Sequence, residues 1–208
     1  MIKIMLKRIL LLITVITGCC SAVSGAETAT SILDRASAKF KGEKSIQAAY
    51  TITTEGHKQS GTLTIAGDRF TIASPQISSW YDGKTQWTYS TQTGEVNITE
   101  PTPEELQQVN PFAIINSFRK LYKATLVKSP ASEKVIRLTS VDPKNDIKSV
   151  VLTLNATTLY PTKIDLTMGN RRTVTIQVTS VKAGGQLPVS DFRFNPNKYP
   201  GIPVVDLR

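Results

Sequence analysis

From Lys44 to Val181 the apolar residues recur at every second position, and one stretch, residues 102–122, breaks the rhythm. Period two belongs to half-buried strands, because successive side chains of a strand point to opposite faces. "SIQAAYTIT" (45–53) places Ile46, Ala48, Tyr50 and Ile52 on one face. "GTLTI" (61–65) continues with Leu63 and Ile65, and "RFTIA" (69–73) with Phe70 and Ile72. "EGHKQSG" and "AGD" read as the turns between them. "WYDGKTQWTY" (80–89) then sets Trp80, Tyr81, Trp87 and Tyr89 around an Asp-Gly turn. With Gly83 and Lys84 at the turn's centre, Trp80 stands opposite Trp87, Tyr89 follows on that face, and Tyr81 points the other way. "GEVNIT" (94–99) adds Val96 and Ile98, and further strands read at 124–128, 134–141, 147–154, 162–168 and 172–181. Some ten strands on short connections predict a mainly β, antiparallel fold. No internal repeat or linker divides residues 27–208, so one domain is expected.

The helical segments are few. "TSILDRASAKFKG" (30–42) lines Ile32, Leu33, Ala36 and Phe40 along one stripe, with Thr30 as cap and Gly42 as stop. "TPEELQQV" (102–109) offers Thr102 as cap, Pro103 at the first helical position and two Glu in the first turn. After Pro111, "PFAIINSFRKLYKA" (111–124) presents Ile114, Phe118, Leu121 and Tyr122 on a broad apolar side, with Phe112 and Ile115 beside them.

Residues 1–26 read as a secretory signal: Lys3, Lys7 and Arg8, then the apolar "ILLLITVIT" (9–17), then small residues. That apolar run is too short to span a bilayer. Ser24 and Ala26 suit a signal-peptidase site that leaves Glu27 first. "ITGC" (16–19) competes as a lipobox, in which Cys19 would be lipidated and hold the protein on a membrane. The chain has only two cysteines, Cys19 and Cys20. A chain starting at Glu27 therefore has no disulfide, no thiolate nucleophile and no Cys-based metal site. The single histidine, His57, sits in a predicted turn, so no His triad or zinc cluster can be assembled. Carboxylate chemistry remains open, but no paired acidic set stands out. The 25 basic residues exceed the 16 acidic ones. In an exported protein such an excess favours anionic headgroups or acidic partners over nucleic acid, and serves equally as a solvated surface.

Taken in order, "KSIQAAYT" (44–51), Gly61 with its "TLTI", "YDGKTQWTY" (81–89), "VNPFAIINSF" (109–118) and "DFRFNP" (191–196) resemble the LolA family of periplasmic lipoprotein carriers. The resemblance runs over most of 30–196, and the ending "YPGIPVVDLR" lies beyond it. It implies an incomplete antiparallel β-barrel covered by a helical lid, with an apolar interior that takes lipoprotein acyl chains. Carried onto this sequence, the wall would be Tyr50, Ile52, Leu63, Ile65, Phe70, Ile72, Trp87 and Tyr89. The lid would bring Ile32, Leu33, Phe40, Phe112, Ile115, Phe118 and Leu121. For any one of these positions ordinary core packing is an equal reading. Family members latch the lid with an Arg after the Gly-x-Leu strand. Here "AGDRF" (66–70) puts Gly67 or Asp68 at that place, leaving Arg69 as the candidate latch and apolar contact as the alternative. The implied partners are triacylated lipoproteins, an inner-membrane release complex and an outer-membrane acceptor, served by a monomer with no cofactor, no metal and no catalysis. The alternatives are a LolB-like acceptor anchored through Cys19, an RseB-like sensor of lipoproteins, and a sugar platform on Trp80 and Trp87.

Overall fold

The computed structural model describes residues 27–208, apart from Pro111 and the side chains of Gln108 and Val109. The signal segment, both cleavage readings and Cys19 lie outside the described residues. Six strands come first: β1 (Ser45–Thr54), β2 (His57–Ala66), β3 (Arg69–Ala73), β4 (Ile77–Tyr81), β5 (Gln86–Ser90) and β6 (Glu95–Thr99). Five more follow the central helices: β7 (Tyr122–Lys128), β8 (Glu133–Ser140), β9 (Ile147–Asn155), β10 (Pro161–Met168) and β11 (Thr173–Gly184). A short β12 (Val204–Asp206) ends the chain. All belong to one sheet in the order β12-β6-β5-β4-β3-β2-β1-β11-β10-β9-β8-β7. β1 pairs with β11 and joins the two meanders. β7 and β12 are the outer strands, so the barrel is open.

The turns explain why the ladders run as they do. Glu55 (φ 50°) and Gly56 (φ 81°) both take positive φ, as a two-residue hairpin turn requires, and Thr54 pairs with His57. His57 therefore opens β2 and is not part of a long turn, as the sequence suggested. At the aromatic hairpin the Asp82 N–H donates to the Thr85 carbonyl, which centres the turn on Gly83 and Lys84. Trp80 pairs with Trp87 as expected. One expectation of direction fails: β12 runs parallel to β6, because the chain crosses the sheet before pairing.

Three helices cover the inner face. α1 (Ala29–Gly42) starts earlier than the sequence suggests, capped by Thr28 rather than Thr30, with Ser31 completing a reciprocal capping box. α2 (Pro103–Val109) begins as expected, on Thr102 and Pro103, with Glu105 completing its capping box. α3 (Ala113–Leu121) ends before Tyr122, which starts β7 rather than extending the helix. Ile32, Leu33 and Ala36 of α1 are fully buried, and so are Ile136, Leu138, Val150 and Leu154 of the second meander. α1 packs beside β7 and α3 within this solid part of the core.

The tail covers the opposite side of the first meander. A 3-10 turn, Val189–Phe192, packs on β3 and β4 and buries Phe192 completely. Phe194 and Tyr199 then close on Trp80, with ring centroids 5.6 Å away in both cases, and Tyr199 lies 5.3 Å from Tyr89.

Candidate functional site

Register decides which side chains face inward. Across β3 and β4 Phe70 is opposite Tyr81, and their rings stack at 5.2 Å within the core. Trp80, one residue earlier, must point to the other face, and so must Trp87, its direct partner. Trp87 and Tyr89 are therefore not part of the inner wall. They stand on the outer face, where Tyr89 and Trp80 meet the tail. Tyr81 takes the inward place instead, because the register across β3 and β4 sets it opposite Phe70.

The inner face encloses two cavities. The first, of about 170 Å³, is bordered by Tyr50, Ile52, Leu63 and Ile72 of the first meander and by Leu166, Met168 and Ile176 of the second. Arg172 borders it too, from the exposed β10–β11 turn. The second, of about 320 Å³, lies beneath the α2–α3 corner over Ile65, Phe70, Tyr81 and Leu106. Lys41, Asp68, Arg69 and Asn116 give it a polar rim, and the buried Asn110 borders it as well. Six of the eight wall residues expected from the sequence border one cavity or the other. Phe40 and Phe112 of the expected lid border the second, whereas Ile32, Leu33, Ile115, Phe118 and Leu121 are buried in the shared core. The contribution of β10 and β11 is not legible in the sequence, because alternation marks an inner face without saying where that face leaves a void.

Gly61 is a requirement of this geometry. Its cross-strand partner is Tyr50, whose hydroxyl sits 2.6 Å from where a Cβ on residue 61 would lie. A side chain there would push the tyrosine off the wall. Burial raises the pKa of the Tyr50 phenol above its ordinary value.

The helices are held by two kinds of contact. Within the corner, Gln107 is buried, accepts from the Tyr122 hydroxyl at 2.8 Å and donates to the Ser117 hydroxyl at 3.1 Å, tying α2 to α3 and β7. Burial raises the pKa of Tyr122, which keeps it a donor. Between α1 and α3 the polar links are exposed: Arg119 grips Asp34 with two hydrogen bonds of 3.0 and 2.5 Å, and Ser37 donates to Asn116 at 2.9 Å. At the end of α1, Tyr160 packs edge-on against Phe40 and donates to Glu43 at 2.9 Å. Burial and then the Glu43 carboxylate push the Tyr160 pKa up to about 12.

Arg69 does not latch the lid. It borders the rim of the second cavity, but its guanidinium turns to the outer side of β3, where it lies 5.2 Å over the Phe192 ring and donates to the Ala66 carbonyl. Arg69 fastens the tail. The pair that joins lid helices is Asp34–Arg119, whose sequence separation hid it.

Chemically, the arrangement is a pair of cavities lined mainly by apolar side chains, the second with charged and amide groups at its rim. Among the described residues no group of three His, Cys, Asp or Glu side chains is placed to hold a metal ion. No described helix is long and apolar enough to cross a membrane.

One solved structure shares the fold over most of both chains. An uncharacterized conserved protein from Thermus thermophilus superposes with a TM-score of 0.59 at 13% identity, covering 86% of this chain and 98% of its own. A putative outer membrane lipoprotein-sorting protein domain from Vibrio parahaemolyticus gives 0.49 at 11% identity, over 79% and 96% of the two chains. A LolA superfamily protein from Nitrosomonas europaea gives 0.43 at 15%, over 81% and 99%. No curated protein matches the sequence. Residues 20–170 match the family described as outer membrane lipoprotein carrier protein LolA. That span exceeds half the chain, and the protein belongs to this LolA family.

Proposed function

We propose that this protein is a non-catalytic carrier in the bacterial envelope that shields the acyl chains of lipoproteins between inner and outer membranes. The observation that carries this reading is an apolar, divided cavity inside an open sheet, covered by a helical corner rather than by more sheet. Acyl chains need such a place, since each methylene removed from water is worth about 0.8 kcal/mol. The links between α1 and α3 are exposed pairs, which contribute only about 0.2–1 kcal/mol each and can break at low cost. Cargo would arrive from an inner-membrane release complex and leave to an outer-membrane acceptor, in the periplasm.

The test is a release assay. Purified protein is added to spheroplasts of the parent bacterium, and the supernatant is searched for its complex with a triacylated lipoprotein. The expected complex forms with the wild type and is lost in Ile52→Glu, which places a charge on the cavity wall while unfolding at an unchanged temperature. Recovery of no acylated protein, or equal recovery by the variant, would overturn the reading.

A further inference from the structure

We infer that the two cavities are compartments of one channel for one of the cargo's long acyl chains, and that Phe112 sets the chain length the channel accepts. This rests on the carrier reading above and adds to it a direction and a selectivity residue. Phe112 is the one described residue that borders both cavities. The compartments are neighbours along the strands: the Leu63–Ile72 pair borders the first and the Ile65–Phe70 pair the second. Those are consecutive inward rungs of one ladder, about 7 Å apart. The phenyl ring interrupts a path otherwise lined mainly by apolar side chains.

The position of that ring suits a shutter. Phe112 precedes α3 at the corner with α2, and its N–H is held by the Asn110 side chain at 3.1 Å. It contacts the Phe40 ring at 6.4 Å between centroids, but voids flank it on two sides. A shift of the corner can withdraw the ring without disturbing a strand ladder.

Polarity gives the direction. The corner compartment carries Lys41, Asp68 and Asn116 at its rim, whereas the far compartment is walled by Ile, Leu, Met and Val together with Tyr50, and its one charged neighbour, Arg172, stands at the outer turn. An amphiphile would keep its headgroup at the corner rim and send its terminal methyl past Phe112. Chains too short to reach the ring would sit in the corner compartment alone.

The experiment is a binding series with saturated fatty acids from octanoate to stearate, read by displacement of an anthroyloxy-labelled fatty acid. For Phe112→Ala we expect palmitate to bind about tenfold more tightly, the value of roughly two more buried methylenes, with octanoate nearly unchanged. Phe112→Trp should weaken palmitate and spare octanoate. Phe112→Leu, the variant that best preserves the core, should fall between wild type and Phe112→Ala. Equal changes at every chain length, with binding retained, would overturn this inference and leave the carrier reading intact. Binding of no chain length by the folded wild type would overturn both.

Discussion

The sheet has two covers, and they are built differently. The helical corner lies over a cavity that its Phe112 and Phe40 of α1 both border, and its joints to α1 are exposed to water. The tail is anchored by ring contacts: Phe192 is fully buried, and Phe194 and Tyr199 close on Trp80 and Tyr89. A cover with few partners on its inner side loses little when it moves. A cover anchored by a fully buried ring cannot move without exposing that ring to water. This contrast predicts a lid that opens and a tail that stays in place as a strap.

The sharpest break of this comparison sets two phenylalanines against each other. Both are essentially buried, Phe192 at 0% exposure and Phe112 at 3%. Phe192→Ala should lower unfolding stability by about 3–5 kcal/mol, as for a well-packed core ring. Phe112→Ala should cost distinctly less, about 1–2 kcal/mol, because two sides of the ring already face voids and contribute no contacts. Urea unfolding of the two variants decides it. Equal losses would mean that the lid is packed as tightly as the strap.

A covalent lock sharpens the same point. The described residues contain no cysteine, so Ser37→Cys with Asn116→Cys can join α1 to α3 where the side chains already touch. Such a link should raise stability by about 2–4 kcal/mol. It should also abolish fatty-acid uptake until a reductant is added. Uptake that persists under oxidising conditions would show that the chain enters without separation of these helices.

What was legible in the sequence follows the same division. Alternation along β1, β2 and β3 places Tyr50, Leu63 and Phe70 on one inner face, because period two fixes a side chain's face within its own strand. It does not fix the faces of Trp87 and Tyr89 relative to Phe70. Relative face depends on the register across β3 and β4, and that register is set where Phe70 meets Tyr81. The tail is unreadable for a related reason. Phe192 and Phe194 alternate only briefly before the prolines, so nothing local says which surface they cover. Analogy assigns Arg69 to the lid, but it holds the strap, because its side of the strand is opposite to that of Phe70.

Smaller effects come from the exposed pairs. Removing the Asp34–Arg119 bridge with Arg119→Ala should cost at most about 1 kcal/mol, since both side chains are largely in water. The loss acts on the closed state of the lid, so uptake of the labelled fatty acid in stopped flow should quicken by about twofold to fivefold. An unchanged rate would mean that the bridge plays no part in closure.

The strap has one titratable anchor. Burial disfavours the charged form of Asp82, but the N–H groups of Thr85 and Lys84 and the Arg193 side chain outweigh it and hold the carboxyl below the usual aspartate range. A lowered folded pKa means that this support is complete above the unfolded value, about 3.9. It is lost as pH falls through the folded value. Loosening of the strap, followed by Trp80 fluorescence, should therefore set in only below about pH 4. In Asp82→Asn, which keeps one acceptor oxygen but no charge, the acid-dependent part of the signal should shrink. Asp82 borders neither cavity, so fatty-acid affinity should not follow the Trp80 transition. Coincidence of the two pH curves would mean that strap and lid respond as one body, and the division between a fixed and a moving cover would fail.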